Sequence, residues 1–360
     1  MTTIHDVAKR AGVSSVTVSR VLNGARNVNA NTRERVEQAI KELGYLPNLA
    51  ARSLRSRQTS TIALIVSDIT NAFWTTVARG VEDAAQAQGY SVFLGNSDEN
   101  LEKQASYVEA VLRQRVDGVI IAPYDSNPRN LQPFNELKTP VVILDRRVDG
   151  WEGDTVRSDS IAGAYALTQH LLSLGHRQIA IISGPPTTST ADERVAGYCL
   201  ALDEAGIPVD LRLIRRGEYR ARSGQALTEE LFEEHLNPTA IVAANNVLAT
   251  GVLEGLRSRG LRVPRDVALV AFDDLPDLAA FFPFLTVVVQ PAYEMGYKAA
   301  QLLLSRINAD VSIGPREVVL PTRLMLRYSC GRFLNHPEVA EANLAPFEGR
   351  SEMREVSPVP

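Results

Sequence analysis

The sequence predicts a mixed α/β protein in two parts. An all-α head built around a helix-turn-helix comes first, followed by a two-lobed core of doubly wound α/β sheets. Three observations carry this expectation. Residues 1–60 concentrate positive charge, with ten Lys/Arg against four Asp/Glu in a chain whose totals are 38 against 42. The opening "IHDVAKRAGVSSVTVSRVLNG" sets small and β-branched residues at helical intervals around Gly12. From Thr61 onward, apolar runs alternate with amphipathic stretches, as in parallel sheets covered by helices on both faces. At 360 residues and 45% hydrophobic, the chain has room for two or three domains with cores of their own.

The head reads as three helices: residues 4–11, 15–23 and 31–43. In a helix-turn-helix the first two helices cross at close range, so a small residue is needed on the first, and Ala8 supplies it. The turn that follows needs positive φ, which Gly12 adopts without strain. Val18 faces back as the apolar anchor, with Ile4, Val7 and Val21 completing a small core. Ser14 or Ser15 can cap the second helix, and Asn29 or Asn31 the third, which Gly44 ends. Residues 47–60 form a polar connector, "PNLAARSLRSRQTS", broken by Pro47.

Eight strand-like runs follow: "TIALIVS", "SVFLGN", "GVIIAP", "VVILD", "QIAIISG", "AIVAAN", "VALVAF" and "TVVVQ". Helical stretches at 73–88, 101–115, 161–174 and 247–259 lie between them. That is more than one sheet at this loop economy, so the core, residues 61–330, divides into two lobes. The exposed "RRVDGWEGDTVRSDS" is the place to change lobes. The tail from Gly331 is polar and without period, and is expected to be disordered.

Several function classes are excluded. No GxGxxG follows the first strand and no Walker loop occurs, so no nucleotide cofactor is expected. "IISGPPTTS" has no nucleophile elbow, and the five histidines are scattered without metal-ligand spacing. Cys199 and Cys330 are too few for a disulfide framework. "MTTIHDVAKR" lacks the apolar region of a secretory signal, and no run reaches the length of a membrane span, so a cytoplasmic protein with no membrane partner is expected.

Taken together, "TIHDVAKRAGVSSVTVSRVLNG" and "NTRERVEQAIKELGYLPNLAARSL" resemble the head and hinge of the LacI/GalR family of bacterial transcription regulators. The resemblance continues through "QRVDGVIIAP", "LGHRQIAIISGP", "ERVAGY", "GLRVPRDVALVAFDD" and "TVVVQPAYEMG", nearly to residue 330. It implies a periplasmic-binding-protein-like core and a homodimer that holds a pseudo-palindromic double-stranded DNA operator. The implied DNA contacts are Thr3, Ser14, Ser15, Val16, Thr17, Ser19, Arg20 and Asn23 in the head, and Ala51, Leu54 and Arg55 in the hinge. Ser15 and Val16 would face base edges, and Arg20 would read a base, guanine above all. Leu54 would wedge between central base pairs in the minor groove, with Ala51 allowing close approach. Relatives that form tetramers do so through a C-terminal leucine heptad, whereas this tail holds only Leu334 and Leu344 after Gly331, so a dimer is expected.

Ligands of open α/β sheets bind beyond the carboxyl ends of the strands. The residues there are Asn71, Phe73, Trp74, Asp145, Arg146, Arg194, Asn245, Asp273 and Gln290. Carboxylates, guanidiniums, amides and two rings suit a polyol, and the set matches the family's sugar-contact pattern. A neutral sugar or close derivative is the expected effector, with a nucleoside or purine as the second choice. One departure is Asn246, where the family more often has Asp. A sugar-binding protein without a regulatory role is the alternative reading.

Overall fold

The structure is a computed structural model. It describes residues 2–22, 25, 27–45, 58–275, 284–309 and 314–334. Asn23, Ala51, Leu54 and Arg55 therefore lie outside the described residues. The chain divides into two compact units, Met1–Thr59 and Ser60–Pro360.

The first unit contains α1 (Ile4–Ala11), α2 (Ser15–Leu22) and α3 (Ala30–Leu43). Thr3 opens α1 with a capping box: Asp6 N donates to its hydroxyl and Thr3 N donates back to the Asp6 carboxylate. Gly12 ends the helix in the left-handed region at φ 63°. Val7, Ala8, Ala11, Val18, Val21, Val36 and Ala39 form the buried core, with Ile4 packed against it. The Arg35 guanidinium donates to Ala11 O and Gly12 O, so α3 secures the turn between the first two helices. Asn29, rather than Asn31, caps α3 by accepting from Asn31 N at 2.9 Å.

The second unit begins with β1 (Thr61–Val66), α4 (Ala72–Gln86), β2 (Ser91–Asn96), α5 (Leu101–Gln114), β3 (Gly118–Ile121), α6 (Gln132–Glu136), β4 (Val141–Leu144) and β5 (Asp154–Ser158). The chain then changes lobes into α7 (Ser160–Ser173), β6 (Ile179–Ser183), α8 (Ser189–Glu204), β7 (Ile214–Arg216), α9 (Ala221–Glu233), β8 (Ala240–Ala243), α10 (Asn246–Ser258), β9 (Ala268–Phe272) and β10 (Thr286–Val289). It returns through α11 (Ala292–Ile307) and β11 (Glu317–Leu320) and crosses once more to β12 (Arg323–Met325).

The two six-stranded sheets run β11-β5-β4-β3-β1-β2 and β12-β10-β9-β8-β6-β7. One topology is thus used twice, with every pair parallel except β10 with β12. The central strands are fully apolar and buried, as in "GVII", "VVIL" and "AIVA". Against α4, α11 packs backbone to backbone. A Cβ on Gly80 would stand 2.1 Å from Tyr293 O, and one on Gly296 would stand 2.1 Å from Val77 O.

Sequence periodicity misses four strands, and the reasons are physical. "DTVRS" (β5) is polar yet lies inside the first sheet, because Asp154 is buried in ion pairs with Arg306 and Arg316, both at 2.6 Å. The lobe change therefore falls at the end of the expected segment, after Ser158. The strands β7, β11 and β12 are short and sit at sheet edges, where a continuous apolar run is not required. At the start of the expected tail, residues 331–334 turn back on the core: Gly331 N donates to Tyr328 O, and the Phe333 and Tyr328 rings lie 5.2 Å apart.

Candidate DNA-reading surface and ligand cleft

In the head, Ser14 is the residue that caps α2, its Oγ accepting from Thr17 N at 3.2 Å. Ser15 is held instead by His5, Oγ to Nδ1 at 3.0 Å. Val16 is 61% exposed at the start of α2, the one large hydrophobic side chain that is exposed among the described residues of the head. Its neighbours Thr17 and Ser19 are half-buried, while Thr3, Ser14 and Arg20 are exposed. Val18 and Val21 on the opposite face are buried. The helix therefore divides into an apolar face turned to α1 and α3 and a polar face that keeps one bare aliphatic group. Such a face can enter a major groove, where a valine can meet a thymine methyl and an arginine a guanine.

In the second unit, the expected cleft residues converge between the lobes. Asn71, Phe73, Trp74, Asp145, Arg146, Arg194, Asn245, Asp273 and Gln290 all line one cavity. Asn71 caps α4 by accepting from Phe73 N at 3.0 Å, and Asn245 caps α10 by accepting from Leu248 N at 2.7 Å. Phe73 and Trp74 meet edge to face, ring centroids 4.8 Å apart, and serve both as cavity wall and as part of the first lobe's core.

The charged side chains are buried and only partly satisfied. Arg146 donates to Pro123 O, to Tyr124 O and to the Glu99 carboxylate at 2.5 Å, leaving Nε without a partner. Arg194 donates to Ala244 O at 2.6 Å and lies 4.0 Å over the Phe272 ring, again with Nε unpartnered. Asp145 has one carboxylate oxygen, Oδ1, with no donor. Burial pushes its pKa up, against the pull of Arg194 and Arg146. Asp273 accepts from Gln290 Nε2 at 2.7 Å, and burial raises it to about 6, with Arg194 opposing. Buried polar atoms left unpaired are costly unless another partner supplies the bond.

The lobes are tied together around this cavity. Asn71 Nδ2 donates to Asn246 Oδ1 and Asn246 Nδ2 donates to Asn71 Oδ1, both at 3.1 Å. Ser158 Oγ donates to Gln290 Oε1, Arg147 pairs with Glu193 at 2.7 Å, and Arg220 donates to Asp98 O at 2.9 Å. These contacts hold the two lobes against each other around the cavity.

Both units answer to known models. Residues 3–48 match the model for bacterial regulatory proteins of the lacI family, and residues 59–327 match that for periplasmic binding proteins and the sugar-binding domain of the LacI family. The chain belongs to the LacI family. Catabolite control protein A of Priestia megaterium is 37% identical over 91% of this chain and 98% of its own length. The ribose operon repressor of Bacillus subtilis (strain 168) is 38% identical over 86% of this chain and 92% of its own. Among solved structures, the lac repressor dimer bound to operator and the anti-inducer ONPF superimposes with a TM-score of 0.80 at 30% identity, covering 91% of this chain and 99% of that one.

This LacI-family chain is a DNA-binding transcriptional regulator and not an enzyme. Among the described residues no helix is long and apolar enough to cross a membrane. Its cleft also includes residues that sequence reasoning passed over: Ser67, Asp68, Glu99, Thr190, Tyr219 and Val247. Glu99 follows Asp98, both in the left-handed region, and nothing in the local pattern signals that such a loop turns into the cleft. Asn246, noted only as a departure, is the cross-lobe partner of Asn71. An aspartate there has no N–H to return, so the reciprocal pair requires the amide.

Proposed function

We propose that this protein is a cytoplasmic repressor that acts as a homodimer, with residues 1–46 as reading head, 47–60 as hinge, 61–330 as effector core and 331–360 as tail. The polar face of α2 would lie in the major groove of each operator half-site, with Ser15, Val16 and Arg20 at base edges and Leu54 wedged at the centre. A small neutral polyol, a sugar or sugar derivative, would bind in the cleft and shift the clamp between two settings that favour or release the hinge. By linkage, ligand and operator change each other's affinity by the same factor.

The observation that carries the ligand reading is the pair of buried aspartates, Asp145 and Asp273, each facing the cavity beside a guanidinium with an unpartnered Nε. Adjacent hydroxyls can donate to such carboxylates and accept from such N–H groups at the same time, while the Phe73 and Trp74 rings cover a C–H face. The test is a thermal-shift screen of the full chain against sugars, sugar acids and nucleosides. Hits are then titrated against a protein–operator complex. A neutral sugar that raises the melting temperature and changes operator affinity is the expected result. A preferred sugar acid, or stabilisation with no effect on operator binding, would overturn this reading.

A further inference from the structure

We propose that Glu99 sets the charge selectivity of the cleft, holding Arg146 in a buried ion pair that restricts the site to ligands without net negative charge. This inference rests on the cleft being the effector site and narrows the class of effector it admits.

The guanidinium of Arg146 is 3% exposed, and by itself it would be a strong anion site. Its Nη1 is taken by the carbonyls of Pro123 and Tyr124, which are uncharged acceptors and leave its charge in place. The carboxylate paired directly with it is that of Glu99, through Oε1 at 2.5 Å from Nη2 and itself 17% exposed, while the buried Asp145 acts on it without a hydrogen bond. The backbone is shaped to deliver this carboxylate. Asp98 and Glu99 take φ of 56° and 49°, and Glu99 N donates to Ser67 O at 2.9 Å, fixing the loop against the end of β1. Two consecutive non-glycine residues in the left-handed region are costly and cluster at ligand clamps.

The remaining charges reinforce the effect. Asp68, Glu99, Asp145 and Asp273 line the cavity against two guanidiniums, those of Arg146 and Arg194. A phosphate or carboxylate entering this space meets an excess of negative charge in surroundings that screen poorly. Hydroxyls meet acceptors. Removing the Glu99 charge leaves the Arg146 charge without its ion-pair partner, and Nη2 beside the unpartnered Nε then presents two N–H donors suited to one oxyanion.

The experiment uses the full chain and inorganic phosphate as probe, at constant ionic strength. Glu99→Gln, which keeps the shape, and Glu99→Ala are compared with the wild type by thermal shift and calorimetry. Both variants are expected to bind phosphate at least tenfold more tightly than the wild type, and the gain is expected to vanish when Arg146→Met is added. Equal phosphate affinity in wild type and variants, or a gain that survives Arg146→Met, would overturn the proposal. A parallel titration with neutral sugars and their monophosphates separates the two readings. If phosphate behaves as expected but no neutral sugar binds the wild type, the polyol assignment fails and the charge selectivity stands.

Discussion

Asp145 and Asp273 occupy the same position in the two lobes. Asp145 directly follows β4 and Asp273 directly follows β9, strands with the same place in the repeated sheet order. Both sit in the left-handed region, at φ 67° and 63°. The backbone N–H of each donates to the neighbouring strand, Asp145 N to Val156 O and Asp273 N to Val288 O, both at 2.8 Å. Each lobe thus ends one central strand in a kinked aspartate turned into the shared cavity. Aspartate tolerates this conformation better than most residues, and the kink is what turns the carboxylate from the sheet face to the cleft.

The Asp273 carboxylate makes stability depend on pH in a defined direction. Burial raises its folded-state pKa to about 6, above the unfolded value of about 3.9. Between these values the folded state binds more protons than the unfolded one, so stability falls as pH rises through that window. The cost is nearly complete by about pH 7, one unit above the folded-state value, and is on the order of 3 kcal/mol. Asp273→Asn lacks it. The melting temperature of the variant should gain on the wild type from pH 4 to 7 and hold a constant lead above, as measured by calorimetry. A lead that does not change with pH would contradict the shift.

Asn246→Asp tests the cross-lobe amide pair. The substitution removes the N–H donated to Asn71 and also the one donated to Asp274 O at 3.0 Å. Each net hydrogen bond contributes roughly 0.5–1.5 kcal/mol, so this setting of the lobes should lose population when no ligand is bound. Small-angle scattering of the unliganded protein should report a larger radius of gyration than for the wild type. An unchanged radius would show that the other cross-lobe contacts suffice.

Gly80→Ala should destabilise the first lobe. Its Cβ would overlap Tyr293 O, a backbone atom that cannot step aside without separating α4 from α11. Overpacking of this kind costs typically 1–3 kcal/mol. A denaturant melt should show the midpoint falling without a change in slope. Gly44→Ala is the control, since nothing lies within 4 Å of its added methyl and only the positive φ opposes it.

Arg20→Ala should weaken operator binding by roughly 1–3 kcal/mol and relax preference at one base of each half-site. Binding should stay steeply salt-dependent, because other Lys/Arg contacts to phosphates still release counterions. Fluorescence anisotropy on an operator and its single-base variants checks both. A uniform loss across all variants would make Arg20 a backbone contact instead.

Much of this molecule is legible in the sequence because its determinants are local. Gly12 at positive φ, the valines buried on one face of α2 and the unbroken apolar runs of the central strands follow from periodicity and conformational preference alone. Asp145, Asn245, Asp273 and Gln290 are also within reach of such reasoning, since any parallel sheet turns its strand ends to one side, whereas Phe73, Trp74 and Arg194 lie on helices and are legible only with the help of the family resemblance. The basic charge of residues 1–60 is equally a property of the chain. Tertiary structure decided the rest. Asp154 could make a polar segment into an inner strand only because Arg306 and Arg316 arrive from about 150 residues away. Glu99 joins the cleft through two left-handed residues that no pattern announces. Asn246 becomes a clasp only when Asn71 stands across from it, 175 positions distant in the chain. Propensity and hydrophobic spacing act over a few residues, whereas ion pairing and amide exchange depend on which side chains the folded chain brings within about 3 Å.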